Sequence, residues 1–151
     1  MDVDAIIGMM GEMGRYKILN KMPHILQTIV NNVKVDFVDY SRYQWIDDAV
    51  VSDNLRLASI HDIAAMKVNA IIGIGTKKDF VDMFVLLQHY TMADILSFYK
   101  QKYPEYSEYR ALLSMTYFDD AEKQDMPLLF IDNTWDEMKT AIVKAVTDYQ
   151  R

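Results

Sequence analysis

The sequence predicts an α+β fold, a small antiparallel sheet with a hairpin around residues 25–40 packed on a mostly helical C-terminal body. Three observations carry that expectation. Between Tyr16 and Tyr40 apolar residues recur at every second position, and Asn31-Asn32 separates two such runs. From Ala58 onward they recur at every third and fourth position, the spacing of one face of a helix. Ser59 with Asp62, Thr76 with Asp79 and Thr134 with Glu137 each place a hydroxyl three residues before a carboxylate, the pattern that opens a helix with a capping box. At 151 residues, 51% hydrophobic and 25% charged, the chain has ordinary globular composition. It is expected to form one domain, with a helix and the sheet in residues 1–57 and the helical part in residues 58–151.

Taken in order, Asp2 or Asp4 caps a short helix over residues 5–13, whose stripe is Ile6, Met9, Met10 and Met13 and whose stop is Gly14. Residues 16–21, 25–30 and 33–40 then read as strands. Asn31-Asn32 suits a two-residue hairpin turn because Asn tolerates positive φ. Val33, Val35 and Phe37 share one face of their strand, and Lys34, Asp36 and Val38 share the other. Asp36 therefore stands mid-strand, opposite the apolar run. Residues 41–53, aromatic and acidic, read as a loop leading to a short extended Leu55-Arg56-Leu57.

A helix then follows Ser59, with Ile60, Ile63, Ala64, Ala70, Ile71 and Ile74 as its buried stripe, and it breaks at Gly73-Ile74-Gly75. A second helix starts at Thr76. Thr91 caps residues 92–102, another helix over 105–117 follows Pro104, and a polar turn at 119–125 leads to the apolar Leu128-Leu129-Phe130-Ile131. A last helix runs to Tyr149 with Trp135, Met138, Ile142, Ala145 and Val146 inward. Tyr99, Tyr103, Tyr106 and Tyr109 are expected to cover an edge of the helical body.

Composition narrows the function classes. A net charge of -6 argues against a broad nonspecific grip on nucleic acid, which depends on clustered Lys and Arg. With no Cys and three scattered His there is no disulfide framework, no thiolate metal site and no expected structural zinc. No apolar run reaches the length of a membrane span, and the acidic Met1-Asp2-Val3-Asp4 is unlike the basic start of a signal peptide. A cytoplasmic protein is expected.

The best candidate site lies in residues 58–90, where charges occupy places that a helix ordinarily gives to apolar side chains. Lys67 falls within the stripe of the first helix, so it either snorkels along its stem or meets an anion at the core edge. Two helices joined by a Gly-containing turn pack against one another, which brings the start of the second, and Asp79, within reach of Lys67. Helix capping by itself also accounts for Asp79.

The order of motifs adds to this. Leu57-Ala58-Ser59-Ile60, then Asp62 to Ala70 with its A-x-K-x-x-A core, then Lys77-Lys78-Asp79-Phe80-Val81-Asp82 with Leu86-Leu87 behind it, resembles the AbiEii/AbiGii toxin family of nucleotidyltransferases. The resemblance reaches back through Val33-Lys34-Val35-Asp36-Phe37 and covers most of residues 2–103. It implies catalytic roles for Asp36, Lys67 and Asp79. Asp36 would be the third metal-binding carboxylate, Lys67 with Lys77 and Lys78 would meet the phosphates of an NTP, and Asp79 would orient the nucleotide or act near the acceptor.

Nucleotidyl transfer needs two Mg²⁺ ions bridged by carboxylates, at least two of them from one strand. The family seats the NTP on a Gly-rich segment followed by a strand bearing D-x-D, and this sequence contains neither. Asp2-Val3-Asp4 is not read as that motif, since no strand carries it. The sequence thus reads as the C-terminal portion of such an enzyme, inactive alone, with an antitoxin protein or an N-terminal half as partner. The alternative is a noncatalytic α+β protein-interaction module.

Overall fold

The computed structural model describes residues 1–151, which form two compact units, Met1–Tyr43 and Gln44–Arg151. The chain is α+β and contains a three-stranded and a two-stranded antiparallel sheet as well as helices. No helix is long and apolar enough to cross a membrane.

The first unit opens with α1, Val3–Met13. The Asp2 carboxylate accepts from the Ala5 N–H at 3.0 Å as its cap, and Gly14 ends it at φ 141°. Of the expected stripe Met10 is buried, whereas Met9 and Met13 are exposed. A meander of β1 (Tyr16–Met22), β2 (Ile25–Val30) and β3 (Val33–Val38) follows. Asn31 and Asn32 take φ of 47° and 68°, the left-handed pair that the twist of a two-residue hairpin requires. Leu26 and Thr28 are buried from the central strand, and the Thr28 hydroxyl donates to the Val35 carbonyl at 2.9 Å. A bulge between Ile18 and Asn20 interrupts β1.

The second unit begins with segment 44–49 and a hairpin of β4 (Val50–Ser52) and β5 (Leu55–Leu57), so the expected loop carries a strand of its own. Asp53 and Asn54 repeat the left-handed turn. The helices are α2 (Ile60–Ile74), α3 (Lys77–Leu86), α4 (Met92–Lys102), α5 (Glu108–Met115), the short α6 (Asp119–Glu122) and α7 (Trp135–Tyr149). Helix α2 is central, in contact with α3, α4 and α5.

The buried stripe of α2 is Ala64, Ala65, Val68 and Ile71, while Ile60, Ile63 and Ile74 are exposed. Two small alanines in this stripe allow close approach of the neighbouring helices. Helix α2 also runs through Gly73, so the expected break is confined to Gly75 and Thr76. A Cβ at Gly75 would stand 2.9 Å from the Phe80 ring, which explains glycine there. Ser107 caps α5, which starts later than Pro104 suggested. Met138, Ile142 and Val146 are buried from α7 as expected, and Tyr99 and Tyr103 are core residues, whereas Tyr109 is exposed.

Candidate functional site

Helix α2 sets Lys67 three residues after buried Ala64 and four before buried Ile71, at the margin of its packed face. The side chain is 25% exposed, so its ammonium ends at the edge of the core. Helix α3 supplies the anions. Asp79 turns back on the cap of its helix, where the Thr76 N–H donates to Oδ2 at 3.1 Å and the Thr76 hydroxyl donates to the same oxygen. That leaves Oδ1 for Lys67, whose Nζ donates to it at 3.0 Å. Asp82, one turn further along, meets Nζ at 2.6 Å. Capping and the ion pair are therefore compatible, because they use different oxygens of one carboxylate.

Burial alone would lower the pKa of Lys67, but the hydrogen bonds it donates to Asp82 and then Asp79 outweigh it and raise the value. Burial likewise disfavours ionised Asp79, and Thr76 and Lys67 reverse that and lower its pKa. These shifts keep Lys67 and Asp79 charged at neutral pH, and the cluster sets two carboxylates against one ammonium. An ammonium has three N–H donors, two of which the aspartates take. The arrangement holds the Lys67 ammonium in place and leaves it one N–H for a further oxygen.

Among the remaining sequence-derived residues, Lys77 is nearly buried at the start of α3. Its N–H donates to Gln124 Oε1 at 3.0 Å, its ammonium donates to the Gln124 carbonyl at 2.7 Å, and its Nζ lies 5.3 Å from the centre of the Trp135 ring. Lys78 is exposed. Asp36 belongs to the first unit, where it lies opposite Gln27, accepts from the Gln27 amide at 3.3 Å and faces Lys34 at 3.4 Å. Nowhere does the chain gather three or more His, Cys, Asp or Glu able to hold a metal ion. Magnesium asks for several oxygens round one point. Asp36, a single carboxylate already bonded to an amide and an ammonium, does not provide that.

Sequence reasoning missed a second charged pair. Asp62 and Lys102 are both fully buried, with Nζ 2.7 Å from Oδ1. The Asp62 carboxylate also accepts from the Ser59 hydroxyl at 2.7 Å, the Ile46 N–H at 3.1 Å and the Asp47 N–H at 3.3 Å. Lys102 donates to the Gln44 carbonyl at 3.2 Å and lies 4.2 Å from the Trp45 ring centre. Burial acts against ionised Asp62, and the bonds from Lys102, Ser59, Ile46 and Asp47 together lower its pKa. The pair fastens segment 44–47 to α2 and α4, beside a cleft of about 390 Å³ lined by Trp45, Asp47, Asp48, Arg56 and Ser59. A signal was available, since Lys102 lies three residues after Tyr99 and seven after Ile95 on the apolar stripe of α4.

No protein-family model matches this sequence, and no solved structure matches it. The chain is similar to an uncharacterized protein of Aquifex aeolicus (strain VF5), with 26% identity over 152 residues that cover 98% of this chain and 72% of that protein.

Proposed function

We propose that this chain is the lysine–aspartate portion of a nucleotidyltransferase of the AbiEii/AbiGii kind, acting in the cytoplasm within a toxin–antitoxin or phage-defence system. In this reading Lys67 meets the phosphates of an NTP, and Asp79 positions that lysine. The supporting observation is the closure of the two motifs on each other: both aspartates of K-D-x-x-D reach the lysine of A-x-K-x-x-A, with Nζ at 3.0 Å from Asp79 and 2.6 Å from Asp82. Magnesium in such chemistry neutralises the triphosphate. Two carboxylates already share the Lys67 ammonium, so a triphosphate without a cation is an unfavourable guest. The carboxylates that bind the metal pair are expected on a separate segment or partner chain, and an antitoxin protein would cover the site.

The second reading, a noncatalytic interaction module, is favoured by one observation. Leu128 and Phe130 are exposed in a segment without regular structure.

Calorimetric titration of residues 1–151 with each ribonucleoside triphosphate in the presence of Mg²⁺ tests the first reading. Binding that Lys67→Met weakens by roughly tenfold, about 1.4 kcal/mol, is expected. The chain alone should transfer no labelled nucleotide to tRNA or protein with Mg²⁺ or Mn²⁺. Absence of binding at millimolar triphosphate rejects this reading and leaves the interaction module.

A further inference from the structure

Residues 126–131 lie between α6 and α7 in neither helix nor strand, and their backbone makes no hydrogen bond to the backbone of the chain. Their side chains nevertheless alternate as in a strand. Leu128 and Phe130 are 85% and 95% exposed, while Leu129 and Ile131 are half-buried. An apolar strand with open backbone groups is a template for pairing with another strand. Acidic residues bracket it, Asp125 before and Asp132 after, while the more distant Asp120, Glu122 and Asp136 are paired with Lys123 and Lys139.

One edge elsewhere in the chain has the opposite character. Strand β1 pairs only with β2 in its sheet, so its outer edge is open. Tyr16, Ile18, Leu19 and Met22 are exposed along it, and Arg15, Lys17 and Lys21 give it positive charge. The spans agree as well, at about 23 Å from Asp125 to Asp132 and about 20 Å from Arg15 to Lys21 for a rise of about 3.3 Å per residue. In either direction of pairing, each basic end meets an acidic flank. Lys21 already contacts Asp4 at 2.9 Å, but both side chains are exposed, and such a pair exchanges partners at little cost. Pro127 is tolerable in an edge strand. The other open edge of this sheet, β3, fits less well, because Asp36 and Asp39 would face the acidic flanks.

We propose that residues 126–131 of one copy of this chain add as a strand to the open edge of β1 in a second copy. Lysines on an edge ordinarily repel an added strand. Here the acidic flanks turn that repulsion into attraction, which selects this occupant over strands without them. The contact joins unlike surfaces, so two copies exchange a pair of such contacts or continue into longer assemblies.

Sedimentation velocity from micromolar to millimolar protein, combined with hydrogen exchange, tests the proposal. Association that rises with concentration, weakens with salt, and protects the amides of 16–22 and 126–131 together is expected. Phe130→Lys, at a side chain almost wholly in solvent, should abolish association without changing the circular dichroism spectrum. Reversing charge on one side with Lys17→Glu and Lys21→Glu should weaken it. Mixing that variant with an Asp125→Lys, Asp132→Lys variant should restore it. A chain that stays monomeric throughout the range overturns the proposal and leaves the segment to a different protein. Association unaffected by Phe130→Lys, or protection confined to other residues, overturns it equally.

Discussion

Replacing Lys67 by Met keeps the length and apolar stem of the side chain and removes its charge, so it isolates what the ammonium does. Two carboxylates lose their partner. Asp82, 49% exposed, returns to water, and its share is that of a surface pair, about 0–1 kcal/mol. Asp79 is 10% exposed and keeps only its bonds from Thr76, so loss of its cation is expected to cost about 1–2 kcal/mol. The sum is a destabilisation of roughly 1–3 kcal/mol. The assay is urea unfolding followed by tryptophan fluorescence, since Trp45 and Trp135, the two tryptophans of the chain, both lie in the second unit. Asp79→Asn and the double variant complete a cycle, and a coupling of about 1 kcal/mol or more is expected. Additivity within about 0.5 kcal/mol, or a Lys67→Met protein as stable as the parent, would mean that Lys67 merely snorkels and Asp79 merely caps.

Three further outcomes follow from the same geometry. Lys102→Met leaves Asp62 buried without its cation and should cost the second unit about 3–5 kcal/mol by the same unfolding assay, whereas an effect near zero would show the pair to be hydrated. The lowered pKa values of Asp62 and Asp79 give stability that is present above 3.8 and lost as pH falls below it, and the raised pKa of Lys67 gives stability present below 10.5 and lost above it. The urea midpoint should therefore fall on both sides of a neutral plateau, and a midpoint that improves on acidification below about pH 4 contradicts the assignment. Asn32→Val forces a β-branched residue into φ of 68° and should destabilise the β2–β3 hairpin by about 1–2 kcal/mol, read as faster amide exchange in the first unit; unchanged exchange would refute the turn's importance.

Much of the fold was legible because local signals agreed with tertiary structure. The Asn31-Asn32 turn, the period of β2 and β3 and the caps at Ser59, Thr76, Thr91 and Thr134 all follow from rules that act within a few residues. Phase was harder to read. In α2 eleven of the fifteen positions from Ile60 to Ile74 are apolar or small, so periodicity did not decide between the Ile60, Ile63 and Ile74 side and the Ala64, Ala65, Val68 and Ile71 face that packs. The lone lysine among them was the useful irregularity. It located the Lys67–Asp79 contact, which spans one turn between consecutive helices. Asp82 was not singled out because its motif position gave no reason to separate it from an exposed helix face. The Asp62–Lys102 pair, 40 residues apart, depends on how α4 crosses α2, which no local spacing encodes.

Contact between Lys67 and nucleotide phosphate is read most directly by nuclear magnetic resonance of ¹⁵N-labelled residues 1–151 titrated with NTP and Mg²⁺. The expected result is a saturable set of amide shifts centred on residues 64–68 and 75–82, which Lys67→Met eliminates while the rest of the spectrum stays in place. No shifts at all, or shifts that gather at the cleft of Trp45, Asp47 and Arg56 and persist in Lys67→Met, would contradict it.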